Sequence, residues 1–226
     1  MKKKLILTLS VLLFASLACC GSAGIACSAP TQPQPSNVLY RDDFSDTSSG
    51  WPRVSDSDGI TDYDKGSYRI RVDTIGANQS GMDRWAHPNQ NLQGDVRIEV
   101  DATKIAGPDD NDMGVLCRYT NKNDAFNFYY FLITNDGYVG IAKMKDSNSQ
   151  MLSSEKMTKS DAVNKTSTNH IRADCIGDQL TLYVNGAQVA TATDSEYTGG
   201  DIGLIAGTFS TPGVDIHFDN FIVTKP

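Results

Sequence analysis

The amino-acid sequence predicts an all-β domain, because short runs of alternating apolar and polar residues follow one another and no helical period occurs after the leader. Gly, Asn and Asp separate the runs. Asn185-Gly186 is the strongest hairpin signal, since both central residues of a type I′ turn need positive φ. Many short strands without a helix predict a sandwich or a barrel. The predicted strands are 38–44, 67–72, 95–103, 113–119, 126–134, 138–144, 170–175, 179–184, 188–193, 202–208 and 214–223.

Residues 1–27 predict a secretion leader. Three lysines precede an apolar run that ends at Leu17 and is shorter than the roughly 20 residues of a transmembrane helix. Small residues follow this run, which favours cleavage over an uncleaved membrane anchor. Residues 28–36, SAPTQPQPS, predict an extended and solvated spacer. Residues 37–226 are long enough for a single β-sandwich domain.

The stretch Leu17-Ala18-Cys19-Cys20 resembles a bacterial lipoprotein box, in which leucine and small residues precede a lipid-modified cysteine. Cys20 is the expected acceptor, but a cysteine directly before it departs from the box, so Cys19 and Cys27 are alternatives. An ordinary secretion signal with incidental cysteines also stays open. A lipid would tether the domain to a membrane surface without spanning it. The sequence therefore predicts a location outside the cytoplasm, either lipid-anchored or secreted.

The chain is acidic. Its formal net charge is −7, and removal of the leader lysines would make the charge more negative. This charge argues against nucleic acid as a partner and against adhesion to anionic lipid head groups. Neutral ligands and cations remain compatible with it.

Cys117 and Cys175 are the two cysteines outside the leader. Outside the cytoplasm a lone pair is most simply a disulfide, which would add about 4 kcal/mol in the chain-entropy model. Alternation places both cysteines on strand faces that point inward, as a bond inside a sandwich requires. Two separate buried thiols and a metal site are the alternatives, although the sequence has no CxxC motif and no nearby His.

Four stretches resemble the concanavalin A-like, or laminin-G-like, jelly roll: DDFSDTSSGWP, GVLCRYTNKNDAFNFYYFLITNDGYVGIAK, NHIRADCIGDQLTLYVNGAQVATAT and GVDIHFDNFIVTK. More narrowly, they are similar to the bacterial domains grouped with the 3-keto-disaccharide hydrolase-type domain of unknown function. The resemblance covers residues 37–226 and implies a two-sheet antiparallel jelly-roll sandwich of about 11–13 strands. It also implies a concave face that often receives glycans. The activity stays open, because this fold hosts lectins, hydrolases and adhesion modules.

No local motif predicts catalysis. Glu99 and Asp101 share one face of a predicted strand, as a nucleophile and its helper would. Jelly-roll glycosidases of one large class carry the pattern Glu-x-Asp-x-x-Glu, in which the last Glu is the acid/base, and Lys104 occupies that position here. A solvated strand face explains these residues more simply. The three histidines lie in unrelated strands or loops, and no Gly-x-Ser-x-Gly or His-Glu-x-x-His motif occurs.

Two places carry oxygen ligands that a structural calcium would need. Residues 107–112, GPDDND, form an acidic loop. Asp43 near the first strand and Asp219 in the last strand are the second candidate, because the first and last strands of such jelly rolls often neighbour each other. Turn chemistry and solvation explain both places without a metal.

Aromatic side chains give the more specific indication of function. A sugar ring has apolar C–H faces that stack on aromatic rings, while its hydroxyl groups need polar partners. We expect a carbohydrate surface that combines both types of side chain: Trp85, Tyr129, Phe131 and Tyr183, with Arg84, His87 and Arg118. Trp85 lies in a polar, loop-like stretch, where it is either a ligand platform or a plug over the core.

The segment 126–133, FNFYYFLI, is aromatic on both faces of a predicted strand. Asn127 shares a face with Tyr129 and Phe131, and this mixed polar and aromatic row favours the ligand side. Alternation then assigns the other face to the core, namely Phe126, Phe128, Tyr130 and Leu132.

Together these features predict a non-catalytic glycan-recognition module that is tethered outside the cytoplasm. A protein-adhesion or structural domain is one alternative, because exposed aromatic side chains serve both functions. A sugar-active hydrolase of the 3-keto-disaccharide hydrolase-like type is the other, and the missing local acid/base pair weighs against it.

Overall fold

The computed structural model describes residues 37–77 and 81–226. Their fold is the predicted all-β sandwich of two antiparallel sheets. The leader with Cys19, Cys20 and Cys27, and the spacer at 28–36, lie outside the described residues, so lipidation and tethering stay predictions. In the described part, no helix is long and apolar enough to cross a membrane.

The described residues form seventeen strands. In chain order they are β1 (Val38–Asp42), β2 (Val54–Asp56), β3 (Gly59–Asp64), β4 (Ser67–Val72), β5 (Met82–Ala86), β6 (Leu92–Gln93), β7 (Val96–Ala106), β8 (Asp112–Lys122), β9 (Ala125–Thr134), β10 (Tyr138–Lys145), β11 (Asn148–Met151), β12 (Thr158–Lys159), β13 (Asn169–Ile176), β14 (Gln179–Val184), β15 (Ala187–Thr193), β16 (Gly199–Thr208) and β17 (Val214–Thr224). The first sheet has the order β15-β14-β13-β7-β17-β4-β3-β2, and β1 also pairs with β17. The second sheet has the order β11-β10-β9-β8-β16-β5, with β12 paired to β10 and β6 paired to β16.

Every strand predicted from the sequence is present, but the expected total of about 11–13 strands is too low. The additional strands are short or polar. β5 carries Trp85, which the sequence places in a loop, and β3 alternates buried Thr61 and Tyr63 with partly exposed Asp62 and Asp64. Because many residues of β3 are polar on both faces, its alternation of buried and exposed positions is not evident from the sequence.

The apolar core lies between the two sheets. Leu180 and Leu182 of β14 are fully buried there, as the alternation predicts. Trp51, which is 4% exposed, covers one side of this core. Its indole N–H donates to the Tyr40 hydroxyl at 2.9 Å, and its ring centroid lies 5.2 Å from that of Phe221. Trp51 therefore anchors the N-terminal segment to the last strand.

A disulfide between Cys117 of β8 and Cys175 of β13 joins the two sheets. Both cysteines are fully buried and belong to the core between the sheets. The bond links positions that are 58 residues apart, so it restricts a long stretch of the unfolded chain. The predicted pairing is confirmed, and the alternatives of free thiols and metal ligands are wrong.

A bulge in β8 sets which side chains face the core. The turn at 123–124 joins β8 to β9 with positive φ at both residues. Thr120 pairs with Asn127, but Cys117 pairs with Tyr129. β8 therefore has one residue more than β9 over the same length of sheet, which is the definition of a bulge.

The bulge reverses the faces that the sequence predicts for β9. In a regular hairpin Cys117 would pair with Tyr130, and the inward cysteine would place Tyr130 in the same core. Instead, Tyr129 and Phe131 point between the sheets and are fully buried. The prediction that these two side chains contact a ligand is wrong. The residues predicted for this core lie on the outer face of the second sheet: Phe126, Phe128, Tyr130 and Leu132.

Arg118 points into the sandwich at the bulge. Its φ is 57°, and only 3% of the residue is exposed. The guanidinium donates to the carbonyl oxygens of Gly177 at 2.9 Å, Tyr197 at 2.7 Å and Cys175 at 3.3 Å. The predicted role of Arg118 as a ligand contact is therefore wrong, because its donors hold backbone carbonyls of the first sheet and of the segment before β16.

Replacement of Cys117 and Cys175 by Ala should lower the free energy of unfolding by about 2–4 kcal/mol, because the unfolded chain gains freedom. Urea denaturation of the wild type and the double variant measures the loss. A reducing agent should destabilise the wild type similarly and leave the variant unchanged. A double variant as stable as the wild type would contradict the structural role of this bond.

The substitution Arg118→Ala should lower the free energy of unfolding by about 2 kcal/mol, since three carbonyl oxygens lose a buried donor. Arg53→Ala is the matched control, because Arg53 is exposed in its ion pair with Asp62 and its loss should change the stability little. Equal effects of the two substitutions in urea denaturation would show that Arg118 does not hold the bulge.

Candidate functional site

An aromatic cluster covers the outer face of the second sheet. It consists of Trp85 from β5, Tyr119 from β8, and Phe126, Phe128 and Tyr130 from β9. The Trp85 ring centroid lies 5.0 Å from that of Phe126 and 5.4 Å from that of Phe128, and the Phe128 and Tyr130 centroids are 5.5 Å apart. These are normal contact distances for aromatic pairs. The cluster is separate from the core between the sheets.

Two rings of the aromatic cluster reach solvent. Trp85 and Phe126 are partly exposed, whereas Phe128 is fully buried and Tyr130 is 3% exposed. Met144, Met151 and Met157 complete the apolar surroundings of the cluster. The aromatic cluster is thus not completely covered by other side chains. Trp85 and Phe126 are the rings that a ligand can contact.

An acidic pocket of about 410 Å³ adjoins the aromatic cluster. Gly207 of β16 pairs with Asp83 of β5 on one side and with Asp112 of β8 on the other. A Cβ on Gly207 would lie 2.2 Å from Asp83 Oδ1 and 2.8 Å from Asp112 Oδ1. The absent side chain therefore leaves room for both carboxyl groups. The charged residues Glu155 and Lys156 also line the pocket, together with Tyr130, Ser149, Met151, Met157 and Phe209.

The two carboxyl groups of the acidic pocket differ in exposure. Asp83 is half-buried, whereas Asp112 is 2% exposed, and Asp112 Oδ1 has no hydrogen-bond partner among the described residues. Burial raises the pKa of Asp83 to about 6. Burial also raises the pKa of Asp112 well above its usual range, and the charge of Asp83 raises it further. Two adjacent carboxyl groups in a poorly solvated place resist double ionisation, so folding favours the protonated form of the pair.

A polar pocket of about 470 Å³ lies at the other end of the aromatic cluster. The His87 ring centroid is 4.3 Å from that of Tyr119, and His87 Nδ1 lies 2.8 Å from Asp201 Oδ2. Burial opposes the charge of Asp201, but the hydrogen bonds from His87 and from backbone N–H groups outweigh it and lower the pKa of this carboxyl. Side chains with hydrogen-bonding groups line this pocket: Asn89, Asn91, Thr120, Asn121 and Lys122.

The structure brings together only part of the predicted ligand surface. Trp85 and His87 lie at the aromatic cluster. Arg84 lies on the opposite face of β5 and pairs with Asp56 at 2.9 Å. Tyr183 belongs to the first sheet, where the Arg172 guanidinium stacks over its ring at 4.2 Å. The prediction that Arg84 and Tyr183 join the same site is therefore wrong.

Glu99 and Asp101 occupy the solvated strand face that the sequence indicates. Both contact His170 of the neighbouring strand, with His170 Nε2 at 3.1 Å from Glu99 and Nδ1 at 2.8 Å from Asp101. Burial lowers the pKa of His170, but the hydrogen bonds to the two carboxylates outweigh it and raise the pKa overall. This cluster lies on the first sheet and is not part of the aromatic site.

Neither predicted calcium place belongs to a metal-binding cluster of side chains among the described residues. Asp43 accepts hydrogen bonds from the N–H and hydroxyl of Ser45, and Asp219 accepts one from the N–H of Asn220 at 2.6 Å. Within residues 37–77 and 81–226 there is no cluster of three or more His, Cys, Asp or Glu side chains that could hold a metal ion. In the acidic loop, Asp109 pairs with Lys104.

The acidic pocket could not be found by reading motifs. Asp83 and Asp112 lie far apart in the sequence, and they meet because β5 and β8 flank the same strand. Phe126, Phe128 and Tyr130 were missed for a different reason, the reversal of faces at the bulge. The inward Cys117 and the tight turn after β8 together fix which face of β9 is buried, provided that the number of residues in β8 is known. The extra residue of the bulge leaves no mark in the sequence, so these two features alone predict the wrong face.

No protein-family model matches the chain, and no curated protein matches it. Solved structures do resemble it. The carbohydrate-binding module CBM66 from Bacillus subtilis is 19% identical with a TM-score of 0.60, and the match covers 78% of this chain and 96% of that one. A protein of unknown function with a galectin-like fold from Bacillus subtilis is 12% identical with a TM-score of 0.59, covering 83% and 96%. A Bacillus licheniformis β-glucanase is 12% identical with a TM-score of 0.57, covering 83% and 98%.

These identities are low, so the likeness establishes the fold alone. The domain has the two-sheet jelly-roll fold that the sequence predicts, similar to these concanavalin A-like structures. The narrower resemblance to 3-keto-disaccharide hydrolase-type domains stays a prediction.

The substitution Asp112→Asn should stabilise the protein more at pH 8 than at pH 4. Burial raises the pKa of both carboxyl groups on folding, to about 6 for Asp83, and Asp112→Asn removes one member of this pair. A raised carboxyl pKa favours the folded state below the unfolded value of 3.8, and for Asp83 that contribution is lost as the pH rises through about 6. The difference in unfolding free energy between variant and wild type should grow by on the order of 2 kcal/mol between these pH values. Thermal melts at both pH values measure it.

Asp161→Asn is the control for this comparison, because Asp161 is exposed and lies outside the acidic pocket. Its effect on stability should be small at both pH values. If the stabilisation by Asp112→Asn were smaller at pH 8 than at pH 4, ionisation of the two carboxyl groups would not destabilise the wild type.

Proposed function

We propose that this domain is a glycan-binding module and that the aromatic cluster on the second sheet is its binding face. The observation that carries the proposal is the combination of partly exposed Trp85 and Phe126 with polar pockets at both ends of the cluster. Rings supply flat apolar surfaces for the C–H faces of a sugar, and carboxyl, amide and imidazole groups supply hydrogen bonds for its polar substituents.

The dimensions of the face suit an extended ligand. Asp83 and Trp85 lie on the same side of β5, His87 directly follows the strand, and alternate residues of a strand are about 7 Å apart. A chain of sugar residues that crosses the partly exposed rings would therefore reach the acidic pocket at one end and the polar pocket at the other. The likeness in fold to CBM66 and to β-glucanase is consistent with this proposal.

We place the domain outside the cytoplasm in this proposal. The disulfide between Cys117 and Cys175 supports that location, because structural disulfides persist in oxidising compartments. The basic and apolar leader and the lipoprotein-like box at Cys20 support a surface tether. Metabolic labelling with a fatty acid, with Cys20→Ala as the variant, tests the tether.

Trp85→Ala and Phe126→Ala should each weaken glycan binding by about tenfold, because each removes a ring that stacks on the ligand. A glycan array with the purified protein identifies a ligand, and titration calorimetry measures the loss. Tyr183→Ala is the matched control, since it removes a partly exposed ring from the opposite sheet and should leave the affinity unchanged.

Near-ultraviolet circular dichroism should confirm that all three variants remain folded. If Tyr183→Ala abolished binding while Trp85→Ala and Phe126→Ala did not, the binding face would be on the first sheet. Release of reducing sugar by the purified protein would favour a hydrolase.

A further inference from the structure

The acidic pocket is an exception among the buried carboxylates of the described residues. Asp174 pairs with Arg97 and Arg172, and Asp215 pairs with Arg69. Asp201 pairs with His87, and Asp42 accepts hydrogen bonds from the Phe44 N–H and the Ser49 hydroxyl. Each of these carboxylates has a donor within the protein itself, as buried charges require.

Asp83 and Asp112 have no basic partner among the described residues. Across residues 37–77 and 81–226, no Lys, Arg or His forms an ion pair with either carboxyl group. Asp112 is 2% exposed, and its Oδ1 atom faces the pocket without a hydrogen bond. Two unpartnered carboxyl groups cost stability, and natural proteins retain such an arrangement at functional sites.

We propose that the acidic pocket binds the positively charged amino group of an amino sugar whose ring lies against the aromatic cluster. An ammonium group carries three donors, so it can bond both carboxylates at once and neutralise the repulsion between them. The acidic net charge of the chain, −7, favours the approach of such a ligand. This inference rests on the proposed glycan-binding function and specifies the class of sugar.

Two other uses of the carboxyl pair fit the geometry less well. In glycosidases the two carboxyl groups flank the scissile bond and stand at least about 5 Å apart. Here the two Oδ1 atoms lie 2.2 Å and 2.8 Å from a single point above Gly207, so they are at most about 5 Å apart, at the lower limit for a retaining enzyme and too close for an inverting one. A calcium ion needs six to eight oxygen ligands, and no third carboxylate or His joins the pair in the described residues.

The position of the pocket suits a substituent on a stacked ring. Asp83 is two residues from Trp85 on the same face of β5, so their Cα atoms are about 7 Å apart along the strand. Tyr130 belongs both to the aromatic cluster and to the pocket wall. A sugar on the exposed rings can therefore direct a ring substituent towards the two carboxyl groups.

Titration calorimetry with two matched probes tests the proposal. One probe is a short oligosaccharide of glucosamine, and the other is its N-acetylated form of the same length, which lacks the charge. The wild type should bind the glucosamine probe about tenfold more tightly. Asp112→Asn and Asp83→Asn should each reduce this preference to near equality, whereas the exposed control Asp161→Asn should retain it.

The remaining outcomes separate this inference from the proposed function. Equal binding of both probes by the wild type, with loss of both in Trp85→Ala, would overturn the amino-sugar inference and leave the glycan-binding function intact. Binding of neither probe, together with an empty glycan array, would overturn both. Tight binding of oligolysine that depends on Asp112 would show a general ammonium site and overturn the assignment to a sugar.

Discussion

The bulge at Arg118 is the constraint on which the second sheet depends. One extra residue in β8 lets Cys117 bond to Cys175 in the core and, two residues later, lets Tyr119 face outwards. The Arg118 guanidinium holds three carbonyl oxygens at this place. Gly200 of the adjacent strand passes so closely that a Cβ would lie 2.4 Å from the carbonyl oxygen of Tyr119. A disulfide, a buried cation and a glycine thus maintain one local irregularity.

The reversal of faces determines which aromatic residues can be functional. β9 is aromatic on both sides, so either face could have formed the core without a large change in buried apolar area. Tyr129 and Phe131 pack between the sheets, where the Tyr129 hydroxyl donates to Asp194 at 2.5 Å. Phe126, Phe128 and Tyr130 then remain for the outer face, together with Trp85 of the edge strand. The proposed binding surface is therefore a consequence of strand register.

The acidic pocket also depends on strand register, because its two carboxyl groups come from strands that are well separated in the sequence. Gly207 pairs with residues of two strands, and its missing side chain allows Asp83 and Asp112 to approach. No basic side chain forms an ion pair with either carboxyl group, although arginines do so for Asp174 and Asp215. Stability is reduced at this place, as expected for the ligand-binding role that we propose for the pair.

The sequence by itself determined the all-β fold, the alternation of the regular strands, the partnership of Cys117 with Cys175 and the anchoring role of Trp51. Of these features, the fold, the strand alternation and the cysteine partnership depend on local periodicity or on residue types with few alternative partners, whereas the packing of Trp51 is known from the structure. Only the tertiary structure decided which face of β9 is buried, where Arg118 points and that Asp83 meets Asp112. The physical reason is that one inserted residue inverts a whole strand face, and that carboxyl groups distant in the chain come together only through the hydrogen-bonded register of three strands.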